Sequence, residues 1–363
     1  MDSVETCERR ASAPARSGVR ARLALAARMA GRALASLAVA LFGLWGCGAL
    51  WYQARGGPGR ILFIALWGAL SVAAAVAPWR RAAVPRMRRA ARAGYALAAA
   101  ALLGWWMSLA PSNDRVWADD VSRMLGGTVQ GPVATLRNVR DFDWRSESSY
   151  TPRWEERRYD LDQLVSVDMI LSSWGMPAIA HTLVSFGFAD GGHVAFSVEI
   201  RKEAHEQFSE IGGFFKQFEL SLVAADERDI VYVRTAVRGE RVALYPVRMP
   251  RPAMRTLFLS YVATANALQR EPRFYHTLFA NCTTLVYQLV RPIVGGLPLD
   301  YRLLLSGYLP EYLYEHGGLD RGVPLAVLRR EADITGRAAL AGNTPGFSRA
   351  IRAPFLAAGG AGG

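Results

Sequence analysis

Cysteine is scarce in this chain, with three among 363 residues: Cys7, Cys47 and Cys282. Three thiols cannot make a disulfide framework, so the fold has to rest on an apolar core. Histidine is almost as rare, five residues in all (His181, His193, His205, His276 and His316), and no paired cysteines or HExxH run accompany them. Neither a metal nor another cofactor is expected. Basic residues outnumber acidic ones by twelve, yet the excess is local: fifteen arginines stand against Asp2, Glu5 and Glu8 before Ala93, and 28 basic against 28 acidic residues follow. The remainder has no basic platform interleaved with aromatics, which excludes nucleic-acid binding. No internal repeat is visible.

What the N-terminal part has in plenty is apolar sequence. Three runs, 33–52, 61–79 and 93–110, are each about long enough to cross a bilayer. Arginines crowd the stretch before the first run and the link between the second and third (Arg80, Arg81, Arg86, Arg88, Arg89, Arg92), while the first link has only Arg55 and Arg60. Positive flanks favour the cytoplasm. The expected organisation is a cytoplasmic tail over 1–32, three transmembrane helices within 33–110, and everything from Pro111 onward on the far side. Trp51, Trp79, Trp105 and Trp106 suit the interfaces. The run "LWGC" (44–47) has the look of a lipoprotein processing box, but the long tail before it and the two runs after it favour Cys47 as a small residue packing between helices, beside Gly43, Gly46 and Gly48.

Past a polar bridge, residues 138–161 read as strand and loop with solvated arginines. "AIAHTLVSFGF" (178–188) and "HVAFSVEIRK" (193–202) flank "ADGG", the signature of a hairpin. Matching their apolar sides (Val184, Phe186, Phe188 with Val194, Phe196, Val198) requires even positions to oppose even ones. The odd positions then share a polar face with His181, Ser185, His193, Ser197 and Glu199. A short helix in 205–216, strands at about 217–224, 229–235 and 240–249, and a helix over 252–270 follow. That last helix repeats Met254, Leu257, Phe258, Tyr261, Val262, Ala265 and Leu268 at helical spacing. Short helices are expected around 301–313 and 324–331, then a disordered tail over 351–363.

The chemistry centres on "ANCTTLVYQL". Asn281 is a favoured helix cap, placing Cys282 in a first turn where unpaired amides and the helix dipole favour thiolate and a developing oxyanion. Among the histidines His181 is the best base, with Glu199 or Ser197 on its face to orient it. His193, at the turn, is the other candidate on that hairpin. His205 and His316 lie in charged stretches, and His276 would have to reach back across a loop. On residues alone, a buried and inert Cys282 beside a structural His181 is as well supported.

"AHTLVSFGF", "VAFSVEIRKE", "FYHTLFANCTTLVYQL" and "DYRLLLSGYLPEYLY" together make residues 115–350 similar to the Lnb-type N-terminal periplasmic domain family. That family resembles circularly permuted papain-like enzymes, in which histidine precedes cysteine, as in the lecithin retinol acyltransferase group, and it includes lipoprotein intramolecular transacylases. The resemblance implies an α+β fold: a circularly permuted papain-like domain with an antiparallel sheet. It also implies a bacterial inner-membrane protein with a periplasmic catalytic domain, Cys282 as nucleophile and His181 as base. A membrane lipid or a lipoprotein would be the acyl-bearing partner. A cell-wall peptide amidase with the same site, or an envelope module binding lipid or peptide without catalysis, are the alternatives.

Overall fold

The computed structural model describes residues 14–54, 56–80 and 85–353, and the chain divides into two compact units, Met1–Ala110 and Pro111–Gly363. Cys7 and residues 354–363 of the expected disordered tail lie outside the described residues.

In the first unit α1 (Pro14–Gln53), α2 (Pro58–Val76) and α3 (Pro85–Ser108) are helical. Two stretches, Arg22–Gln53 and Pro58–Trp79, are long and apolar enough to cross a membrane. The expected count of three spans is corrected to two candidates. The helix α3 opens with Arg86, Arg88, Arg89 and Arg92. Its apolar part, 93–108, covers roughly 24 Å at about 1.5 Å per residue, short of a hydrocarbon core of about 30 Å. The far-side placement expected from Pro111 onward counted three crossings, whereas the cytoplasmic side expected for the N-terminus rested on the arginines alone. Close packing explains the small residues of α1: a Cβ on Gly46 would lie 2.2 Å from Trp67 Nε1, and one on Gly43 would lie 2.7 Å from Ser71 Cβ. Cys47 is half-buried on the same helix.

The second unit is α+β. Its strands are β1 (Gly126–Gln130), β2 (Val133–Arg140), β3 (Asp143–Trp144), β4 (Tyr150–Thr151), β5 (Trp154–Asp160), β6 (Leu164–Ser173), β7 (His181–Phe188), β8 (His193–Arg201), β9 (Glu219–Ala225) and β10 (Arg241–Pro246). Eight of them form one sheet in the order β1-β2-β9-β8-β7-β6-β10, with β5 also on β2. The sheet is mixed, which corrects the expected antiparallel one. After the excursion over 202–218, β9 inserts between β8 and β2; running antiparallel to β8, it lies parallel to β2, with Arg140 beside Ala225. The polar bridge contributes two of these strands, β1 and β2.

The hairpin register is the one the apolar pattern demands, Val184 facing Phe196 and Phe186 facing Val194. The even side packs under α5 (Arg251–Arg270), whose seven repeat positions are all buried. Phe258 lies 5.2 Å from Phe186, and Tyr261 stacks on Phe196 at 4.8 Å. Each such fully buried side chain contributes roughly 1.5–3 kcal/mol.

Three local expectations are corrected. No α-helix forms in 205–216, where a short 3₁₀ turn, Gly212–Phe214, stands in a loop. The β-branched run at 229–235 is not a strand but the end of α4 (Glu227–Tyr232) continued by a π-helical turn, Val233–Val237. Asp226 caps that helix by accepting from the Arg228 amide, and buried Asp229 receives Arg140 Nε at 2.8 Å and Trp144 Nε1 at 2.7 Å. These polar anchors outweigh a β-propensity of at most about 1 kcal/mol. Finally, order extends past 350. After α6 (Cys282–Val294), α7 (Leu309–Glu315), α8 (Leu325–Ala332) and α9 (Thr335–Ala341) comes α10 (Phe347–Ile351), where Ile351 and Arg352 are buried.

Candidate active site

Asn281 begins α6 as a cap: its Oδ1 accepts from the amides of Thr283 at 2.9 Å and Thr284 at 2.8 Å, while the Thr284 hydroxyl accepts the Asn281 amide at 3.0 Å. The Asn281 side chain also donates to the Thr277 carbonyl at 2.6 Å. The Asn281 side chain, expected at the cap and oxyanion end of this helix, is therefore occupied in capping, as are two of the first-turn amides. Cys282 follows, half-buried in the first turn, with Sγ 3.9 Å from Thr283 Oγ1.

His181 opens β7 and lies on the odd face of the hairpin, whereas α6 packs on the even face. The two meet where the first turn of α6 reaches the start of β7: Cys282 and His181 line the same cleft, the imidazole acts on the thiol electrostatically, and Thr182 Oγ1 lies 3.2 Å from Thr283 Oγ1. On the other side of the ring, Nε2 is 2.7 Å from Ser197 Oγ and 3.2 Å from Glu199 Oε1. Ser197 Oγ donates to Glu199 Oε1 at 2.7 Å. A carboxylate only accepts, so the serine hydrogen points at Glu199 and its oxygen accepts from Nε2–H. Nδ1 is the ring nitrogen that neither Ser197 nor Glu199 engages.

Electrostatics follows from this packing. Burial alone would push the Cys282 thiol up, but the charge and hydrogen bond of His181, with the Thr182 amide and Thr283 hydroxyl, hold it below the ordinary thiol range. Burial would lower His181; the Glu199 carboxylate more than offsets this and raises the imidazole to about 9, with Arg234 opposing and Cys282 assisting. Glu199, despite burial, is held well below the usual carboxylate range by His181 and Arg234. Such a pair favours thiolate and imidazolium together.

Cys282, His181, Glu199 and Arg234 line a cleft of about 770 Å³, with Ser197 buried behind it. Exposed apolar side chains stand at its rim, among them Trp174, Met176, Phe208 and Ile211, with Trp174 edge-on to Phe208 at 6.3 Å. Beyond the Thr182–Thr283 contact lies a second, apolar cavity of about 180 Å³, walled by Val184, Val286, Val290, Leu297, Leu309 and Tyr312. The strand entry is pinned from far along the chain: the Ser306 hydroxyl accepts the Ala180 amide at 2.9 Å and donates to its carbonyl, and the Gly307 amide donates to the Ala178 carbonyl at 3.0 Å. A Cβ on Gly307 would sit 1.9 Å from the Pro177 carbonyl oxygen.

The other histidines lie away from the cleft lining. His193 donates through Nδ1 to the Gly191 carbonyl at 3.0 Å, His316 to that of Tyr312 at 2.8 Å, His205 is exposed, and His276 packs on Phe279 at 4.8 Å. Sequence reasoning missed Arg234, whose NH2 donates to Glu199 at 2.9 Å, and Glu240 and Ser172 behind it. Nothing local marks them, since Arg234 sits in the run whose β-branched residues suggest a strand. Among the described residues no group of histidine, cysteine and carboxylates is arranged to hold a metal.

Residues 150–307 match the model of the family described as the Lnb N-terminal periplasmic domain, a span that contains Cys282, His181, Ser197 and Glu199. That stretch of the chain is similar to this family. The family's description and the two N-terminal apolar helices fit a membrane-anchored protein with a periplasmic domain. No curated protein and no solved structure matches the chain.

Proposed function

We propose that this protein is a membrane-anchored periplasmic thiol acyltransferase or hydrolase, with Cys282 as nucleophile and His181 as general base, acting on a lipid-linked or lipoprotein ester or amide. The observation that carries the reading is the meeting of Cys282 from α6 with His181 from β7 and Glu199 from β8 on one cleft, with Ser197 bridging His181 and Glu199 behind it. The base preceding the nucleophile in the chain fits a circularly permuted papain-like domain.

In the first step the Cys282 thiolate adds to the carbonyl carbon, forming an S–C bond as the carbonyl electrons move to oxygen. The Cys282 amide, outside the Asn281 cap, and the dipole of α6 favour that oxyanion. His181 then passes its Nδ1 proton to the departing alkoxide or amine, leaving an acyl thioester. Water, or an acceptor amine or hydroxyl, attacks the thioester while His181 removes the acceptor's proton, and Cys282 leaves as thiolate. Ser197 holds Nε2–H throughout, and Glu199 balances the imidazolium. The apolar rim and the 180 Å³ apolar cavity beside Thr283 favour an acyl chain over a peptide as the group presented.

The test uses full-length protein with a long-chain alkyl chloromethyl ketone and a peptide chloromethyl ketone. The alkyl probe is expected to label Cys282 faster. Cys282→Ala is expected to lose labelling at that site and to lower turnover of a long-chain thioester on the order of 10⁴-fold or more. A thiol inert to both probes would end the enzymatic reading in favour of a binding module. Faster labelling by the peptide probe would move the substrate to cell-wall peptide.

A further inference from the structure

The cation behind the site has no role in the steps above. Arg234 is 7% exposed, and it stands on the one π-helical turn of the second unit's described residues, where helices often widen at functional positions. Its NH2 reaches Glu199 Oε1 at 2.9 Å, the same oxygen that accepts from Ser197 at 2.7 Å and lies 3.2 Å from His181 Nε2. Its NH1 reaches Glu240 Oε2 at 3.4 Å, and Ser172, the register partner of His181 on β6, donates to that same Glu240 oxygen. Its Nε is buried without a hydrogen-bond partner. A guanidinium placed only for structural pairing would use its five donors more fully. Here one donor is left idle while another is aimed at the carboxylate oxygen that faces the base.

We propose that Arg234 is a positioning residue that clamps Glu199 and, through its charge, sets the pH range in which Cys282 and His181 exist as thiolate and imidazolium. The inference rests on the acyl-transfer reading of the same site. A cation about one side chain from the ring disfavours imidazolium and favours thiolate, so it lowers both proton affinities of the pair. Glu240 works in the opposite sense by drawing Arg234 away from Glu199. The charged and titratable groups around this relay are Glu199 from β8, Cys282 from α6, Tyr275 from the segment before α6, Glu240 before β10, and Arg238, whose NH1 is 3.8 Å from Glu240. Tyr275 stays protonated, because burial and the neighbouring Cys282 both push its phenol up.

The test needs no substrate. In full-length protein carrying Cys7→Ser and Cys47→Ser, the rate of Cys282 alkylation by iodoacetamide is followed by mass spectrometry from pH 4 to 10. The parent is expected to show a reactive plateau that starts well below an ordinary thiol's titration. Arg234→Gln should move both limbs upward by about one pH unit, which is roughly tenfold in reactivity at the acid limb. Arg234→Lys should restore most of the shift, and Glu240→Gln should move both limbs downward. Limbs unmoved in Arg234→Gln, or moved alike by all three variants, overturn the assignment. Should Arg234→Gln fail to fold, the opposed shifts of Arg234→Lys and Glu240→Gln decide, and no difference between them overturns it. A parent whose Cys282 titrates as an ordinary thiol overturns the acyl-transfer reading together with this inference.

Discussion

Ser185 and Ser197 stand on the same odd face of one hairpin, and each donates to a carboxylate, yet the two carboxylates are treated differently. Glu227, bound by Ser185 at 2.6 Å, is fully buried and gripped by Arg352 through bonds of 2.6 and 2.7 Å, with Asp168 held by the same guanidinium at 2.7 and 3.0 Å. Glu199, bound by Ser197, keeps 18% of its side chain exposed, gathers two donors on one oxygen beside the His181 ring and faces the cleft. Full pairing closes the first cluster and spends its charge on cohesion. The second holds its charge where a neighbouring base can use it. Burial of a charge is thus not itself a sign of reactivity; the opening beside it and the thiol across the ring are what differ.

The comparison breaks most visibly at Arg352. Arg352→Ala should cost about 3–5 kcal/mol in urea unfolding, because Asp168 and Glu227 are left buried without their cation. The pH profile of Cys282 alkylation in the folded fraction should stay where it was. A shift as large as that of an Arg234 substitution would mean that the two clusters are one network.

A finer separation comes from the pH dependence of stability. Burial would raise Glu227, but Arg352 outweighs it and holds the carboxyl at about 2. A depressed carboxylate contributes stability that is present above its unfolded pKa of about 4.3 and is lost as pH falls toward that value of about 2. His181 has the opposite sign. Raised to about 9 by Glu199 against the cost of burial, it contributes stability that is complete below about 6.5 and lost as pH rises through about 9. Urea midpoints should therefore decline on both sides, and His181→Ala should flatten only the alkaline decline. An acid decline equally flattened by that variant would contradict the division.

The smallest effect is expected at the helix cap. Asn281→Ala removes the acceptor of two first-turn amides and should lower stability by about 1 kcal/mol in chemical denaturation. A loss several times larger would mean that Asn281 supports more than the end of α6.

Much of this was legible in the sequence because it depends on period and local chemistry. The α5 stripe from Met254 to Leu268 and the even-to-even hairpin register follow from spacing alone, as does the cap before Cys282. The pairing of His181 with Ser197 and Glu199 was legible too, since register puts all three on one face. What the pattern does not carry is the origin of the cations. Arg234 and Arg352 come from segments whose local signals point to strand and to disorder, and only tertiary packing assigns one to each half of the polar face. The third apolar run misled for a related reason: its arginines and its length have to be weighed together, and either alone looks sufficient.

The link from Ser306 and Gly307 to the backbone of residues 177–180 means that the proposed base is held by chain synthesised long after it. A fragment ending near Leu299 would retain the nucleophile, the base and both of its oxygen partners, but the lead into β7 would be unlatched. Such a product of early termination or proteolytic nicking should keep its cysteine and lose its reactivity, so competence comes only once synthesis has passed Gly307.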